Sequence, residues 1–196
     1  MSRITPWSTR SAAAAALAVI IMTSTSPADA GPAVPALVQT YIADARVAGQ
    51  GRLTWLGFHV YDAALYVPAG FAPARAEAAS FVLELTYARR LSGLAIAERS
   101  RDEIERLGYG TPEQRARWFE QMRAVFPDVE KGRKLAGVNV PGAGARFYFE
   151  GRFIGAIDDP AFARAFFGIW FDPRTAAPQL RDNLLKQAAG GGAAGA

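Results

Sequence analysis

The clearest alternation of apolar and polar side chains runs over residues 80–87. There Phe81, Leu83, Leu85 and Tyr87 share one face, and Val82, Glu84 and Thr86 share the other. A period of two is that of a half-buried strand. Upstream, residues 55–67 are apolar or aromatic at almost every position, the pattern of a strand covered on both faces. Residues 46–56 and 58–67 read as paired strands, with Gly57 marking either a tight turn or a bulge. A short helix over 36–43 precedes them.

Beyond residue 91 the period changes to that of a helix. Ser92 is placed to cap a helix over 93–107, in which Leu94, Ala97, Ile104 and Leu107 recur at helical spacing and Gly108 and Gly110 end the run. Thr111-Pro112-Glu113-Gln114 starts another, with a hydroxyl cap, proline at the first helical position and a glutamine three residues on. Its apolar stripe is Trp118, Phe119, Met122, Val125 and Phe126, and Pro127 stops it. Short strands are expected over 134–140, 145–150 and 152–157, the last two joined by a hairpin turn at Glu150-Gly151. Asp159 then caps a helix over 161–171, and 178–187 form a last amphipathic helix. The sum is an α+β domain.

Composition sets the limits of that domain. Arg3 and Arg10 form a basic start, residues 11–22 are apolar, and Ala28-Asp29-Ala30 has the small-residue form of a cleavage site. The apolar stretch is shorter than the ~20 residues a membrane-spanning helix needs. The expectation is a signal peptide over 1–30, export to the periplasm, and no stable membrane insertion after cleavage. One domain over 31–187 follows, and a disordered Gly/Ala tail over 188–196. The chain has no cysteine and one histidine, which excludes thiol chemistry, disulfides, a lipoprotein anchor and multi-histidine zinc sites. No cofactor or metal is expected. The net charge of +4 is spread as alternating arginines and acids along the helices, the pattern of a solvated face. Nucleic acid is therefore not an expected partner, and the protein is expected to be a monomer.

Candidate chemistry concentrates in the first strand pair. Arg52 offers a planar donor fork suited to a carboxylate or phenolate; alternatively it is an exposed strand-end residue paired with an acid. Tyr61 is placed to donate to the same ligand oxygen, or else is a core tyrosine satisfied locally. His59, two residues before it, shares its strand parity and would face the same side as an acid–base group. Tyr87, with Arg89 and Arg90, ends the alternating strand, either as a solvated strand end or as a place where an anion is held. Asp158-Asp159 looks like a carboxylate pair, but Asp159 is better explained as a helix cap. No Ser-His-Asp set or phosphate loop occurs.

Three ordered blocks carry a resemblance. The first is Gly49-x-Gly51-Arg52-x-x-Trp55-x-Gly57-x-x-x-Tyr61-Asp62-Ala63-x-Leu65-Tyr66. The second runs Leu85-Thr86-Tyr87-Ala88-Arg89-Arg90-Leu91-Ser92-Gly93. The third starts at Gly151-Arg152-Phe153-Ile154-Gly155 and continues through Asp159, Phe162, Phe166 and Trp170 to Leu180-Arg181-Asp182-Asn183-Leu184. Together they resemble bacterial chalcone isomerase-like proteins. That resemblance implies an open-faced β-sandwich, a curved antiparallel sheet covered by helices with a ligand cleft between them. It also implies an arginine at the cleft, matched by Arg52. The plant enzymes' remaining polar groups are a threonine, a tyrosine, an asparagine and a last small hydroxyl residue. Their places fall on Tyr61, Ile96, about Glu103 and about Gly168. With only the arginine kept, chalcone cyclisation is expected to be absent or very weak. Two functions follow from the resemblance. One is a non-catalytic module binding a hydrophobic small acid, such as a fatty acid, with its head on Arg52 and Tyr61 and with His59 and Tyr87 nearby. The alternative is an intramolecular lyase or isomerase driven by the arginine.

Overall fold

A computed structural model describes Met1 and residues 34–188. Residues 2–30 of the expected signal peptide and residues 189–196 of the expected tail lie outside the described residues. Six strands, β1 (Arg46–Trp55), β2 (Phe58–Val67), β3 (Phe81–Tyr87), β4 (Lys134–Val140), β5 (Gly144–Phe149) and β6 (Arg152–Ile157), form one open sheet. Its spatial order is the order of the chain, and every neighbouring pair is antiparallel. The helices are α1 (Ala36–Tyr41), α2 (Gly93–Arg106), α3 (Pro112–Val125), α4 (Pro160–Phe171) and α5 (Pro178–Leu185). The α+β class and the antiparallel sheet expected from the sequence are both present.

Local chemistry sets the helix starts. The Ser92 hydroxyl accepts from the Ala95 amide at 3.1 Å. Thr111 and Gln114 satisfy each other's backbone amides in a reciprocal capping box. Asp159 accepts from the amides of Ala161 and Phe162, and its second oxygen takes the Trp118 indole N–H at 2.8 Å, which ties α3 to the start of α4. The first helix ends at Tyr41, two residues earlier than the sequence suggested, and Ala188 is buried rather than part of a tail.

The main core lies between one face of the sheet and helices α2 to α5. Phe81, Leu83, Leu85 and Tyr87 all point into it, as their alternation required. Phe147, Phe162 and Phe166 fill its centre, with ring centroids 5.3–6.3 Å apart. A smaller core on the opposite face holds Val38, Ile42, Tyr66, Val82 and Val138 beneath α1. At Gly49, β1 approaches α5 so closely that a Cβ would sit 2.0 Å from the Asn183 carbonyl oxygen; no other residue fits there.

The expectation that residues 55–67 are covered on both faces holds only for the second half of β2. Trp55, Leu56 and Phe58 at the hairpin tip are exposed, because the hairpin extends past the helices that cover the rest of the sheet. Gly57 belongs to a tight turn, and the pairing of β1 with β2 also slips by one residue between Leu53 and Thr54. Turn and bulge, read as alternatives from the sequence, occur one after the other.

Candidate functional site

A cavity of about 290 Å³ opens between the sheet and helices α2 and α4. Leu53, Leu85 and Leu135 of the sheet line it on one side, and Ile96, Phe166 and Trp170 of the helices on the other. For scale, an apolar cavity of about 150 Å³ holds a benzene ring, so this one has room for roughly a dozen carbon atoms.

Two tyrosines supply the polar groups of the sheet wall. Tyr61 and Tyr87 are cross-strand partners on β2 and β3, meeting edge to face with ring centroids 5.9 Å apart. The Trp170 indole N–H donates to the Tyr61 hydroxyl at 3.0 Å. The Tyr61 proton is thus left free of any acceptor among the described residues, and the Tyr87 hydroxyl likewise makes no hydrogen bond among them. Burial pushes both phenols well above their ordinary range; the Arg99 charge counteracts this at Tyr61, and proximity to Tyr61 adds to it at Tyr87. Both therefore remain neutral donors at physiological pH.

The helix wall supplies charge. Ser92 fixes the start of α2, and from there Ile96, Arg99, Ser100 and Glu103 recur at three- and four-residue spacing and reach the cavity together. Glu103 is buried between two guanidiniums. One oxygen accepts from Arg99 Nη2, and the other from Arg106 Nε at 2.8 Å. Arg106 is itself held by the Arg174 carbonyl at 2.8 Å. Arg99 bonds only Glu103 among the described residues; its guanidinium lies 4.7 Å from the Trp55 ring centroid, at the cavity mouth. Arg89 stands at the same mouth. With Arg89 and Arg99 set against one Glu103 among its lining residues, the cavity carries net positive charge.

The four residues singled out from the sequence do not converge. Tyr61 and Tyr87 line the cavity. Arg52 and His59 lie on the opposite face of the sheet, where Arg52 Nε donates to Asp62 Oδ1 at 2.9 Å and both partners are more than half exposed. His59 Nε2 lies 3.2 Å from the same oxygen but is not oriented to bond it. The expectation that His59 and Tyr61 share a face fails at the bulge. Leu53 pairs with Tyr61 and Thr54 with His59, so Val60 is the extra residue and the parity reverses across it. Of the positions placed by the resemblance, Ile96 and Glu103 do line the cavity, whereas Gly168 packs against the Tyr109 ring. Arg99 went unrecognised in the sequence, though it stands between those two on the same helix.

The sequence model of a family described as chalcone isomerase-like matches residues 31–186. No curated protein sequence matches the chain. Among solved structures, the crystal structure of a fatty-acid binding protein of Arabidopsis thaliana is similar, with a TM-score of 0.57 and 15% identity. The match covers 76% of this chain and 90% of that one, and at this identity it is a likeness of fold.

Proposed function

This chain belongs to the chalcone isomerase-like family, and we propose that it binds a hydrophobic small acid, such as a fatty acid, in the cavity without transforming it. The observation that carries this reading is the division of the cavity into an apolar interior and a cationic mouth. An acyl chain of about a dozen carbons fits the interior and gains roughly 0.8 kcal/mol per methylene buried. The carboxylate meets Arg99 at the mouth, with Arg89 adding charge and the free phenol protons of Tyr61 and Tyr87 available to an oxygen that sits deeper.

Binding is favoured over turnover by the state of the polar groups. Glu103 is already held by two guanidiniums, the two phenols are held neutral by burial, and Ile96 brings only hydrocarbon. The likeness to a fatty-acid binding protein agrees with this reading without carrying it. Arg52, bonded to Asp62 on the far face, has no part in it. The reading includes export, supported by the basic start, apolar stretch and Ala28-Asp29-Ala30.

Native mass spectrometry of protein recovered from the periplasm of the producing cell tests both parts. The expected result is a chain beginning at Gly31 that carries an acid of aliphatic mass, lost on delipidation and regained from dodecanoic acid. Protein found only in the cytoplasm with Met1 or Ser2 retained would refute export. Delipidated protein that shows no saturable uptake of any acid from eight to eighteen carbons would refute the ligand.

A further inference from the structure

The tip of the β1–β2 hairpin departs from what its backbone favours. Trp55 and Phe58 pair across a two-residue turn, and both turn residues have positive φ, 49° at Leu56 and 81° at Gly57. This is the type I′ pattern, in which asparagine or aspartate followed by glycine is preferred because other L side chains are crowded there. Leucine holds the first place instead, and the fold gives it almost no burial in return. Leu56 is 82% exposed, Phe58 64% and Trp55 50%. A backbone cost and a solvation cost thus coincide on one side chain.

Arginines frame this apolar tip. The Arg89 guanidinium lies 5.8 Å from the Phe58 ring centroid and that of Arg99 4.7 Å from Trp55; the exposed Arg90 follows Arg89 in the chain. The acids nearby do not cancel them. Glu103 is buried and shared by Arg99 and Arg106, Asp62 pairs with Arg52 on the hairpin's other face, and the exposed Glu98 is close enough to Arg101 to act on its charge. Aromatic and leucine side chains flanked by guanidiniums match the boundary of an anionic bilayer, where apolar groups enter the acyl edge and arginines meet phosphates.

We propose that the hairpin tip is a membrane-docking element, with Trp55, Leu56 and Phe58 entering the headgroup boundary of an anionic lipid bilayer and Arg89 and Arg90 resting on its phosphates. Three side chains give shallow, reversible attachment, and no helix among the described residues is long and apolar enough to cross a membrane. Trp55 and Arg89 also line the cavity mouth, so docking turns that mouth towards the lipid. The docking proposal stands whether or not the cavity takes a fatty acid.

Leu56→Asn separates docking from folding, because asparagine suits positive φ and adds no charge. The purified protein is sedimented with vesicles of phosphatidylcholine alone, or of phosphatidylcholine and phosphatidylglycerol in equal parts, at low and high salt. Wild type should bind only the anionic vesicles and be released by salt. Leu56→Asn should bind them about tenfold more weakly, with a melting temperature no lower than wild type and unchanged affinity for dodecanoic acid. Wild type that ignores anionic vesicles at low salt, or a variant that binds them as well as wild type does, overturns the proposal. So does wild type that self-associates in solution through a contact relieved by Leu56→Asn, which would make a second copy of the chain the partner.

Discussion

Replacing Arg99 by glutamine tests the proposed acid site most directly. Glutamine keeps most of the length of the side chain and a donor, but loses the charge and the planar fork. A charge-assisted hydrogen bond contributes about 1.5–3 kcal/mol. Arg99 is 54% exposed, so solvent screening puts its contribution at the lower end. Dodecanoate should therefore bind roughly tenfold more weakly to Arg99→Gln. Its methyl ester, which has no charge for Arg99 to meet, should lose much less than that, so the cycle between ligand and variant isolates the charge. Glu103 keeps its bond from Arg106 Nε at 2.8 Å, so the fold should lose less than the roughly 3–5 kcal/mol of a buried carboxylate left unpaired. Isothermal titration of both ligands against wild type and variant, with urea denaturation of each protein, gives all the numbers required. Equal dodecanoate affinity in the two proteins would refute the assignment of the carboxylate to Arg99. An equal loss for acid and ester would mean that Arg99 shapes the cavity without holding a charge.

Two further outcomes concern the frame around the site. Gly49→Ala should destabilise the protein by about 3 kcal/mol in chemical denaturation, because the added methyl meets the Asn183 and Leu184 carbonyl oxygens at 2.0 and 2.5 Å; wild-type stability would mean that α5 does not rest on β1 as described. Asp172 is held well below the ordinary carboxylate range by the Arg174 side chain, the Arg174 amide and the Tyr109 hydroxyl. A lowered pKa contributes stability that is complete above the unfolded value, near 3.9, and is lost as pH falls through the folded one. Asp172→Asn should thus cost about 1–3 kcal/mol at neutral pH, with the gap closing in urea melts taken below about pH 4. A gap that widens in acid would contradict that assignment.

Much of the scaffold was legible because it rests on local signals. The alternation through Phe81 and Tyr87 fixed both the strand and its buried face. Ser92, Thr111 with Gln114, and Asp159 marked three helix starts that the structure places at those residues. The lining of the cavity was half legible. Tyr61 and Tyr87 lie on β2 and β3 beyond any irregularity, and their parity with the buried residues holds. His59 lies on the far side of the extra residue Val60, and a bulge leaves no mark in the order of side chains. Arg52 pairs across the strands with Asp62, a contact that depends on register. Arg99 was hidden differently, since an arginine among Glu98, Arg101 and Asp102 looks like part of a solvated helix face. Its distance from Ser92 was the available clue. Seven residues after the cap, it falls between Ile96 and Glu103 on one helical stripe, and all three reach the cavity.

The close approach of α5 to β1 has a consequence for solubility. An open sheet ends in two strands whose outer backbone groups can pair with another chain. At the start of β1 the outer side is occupied from within. Gln187 donates its amide to the Ala48 carbonyl at 2.8 Å, and its own carbonyl accepts from Arg46 Nη1 at 3.1 Å. Ala48 is also the unpaired residue between Val47 and Gly49, where the ladder with β2 slips, and such an irregularity spoils a straight edge. The other end of the sheet carries a matching defect, where β6 slips against β5 between Phe153 and Gly155. The last turns of the described chain therefore do more than complete a core: they guard an edge along which one copy could otherwise add to the next.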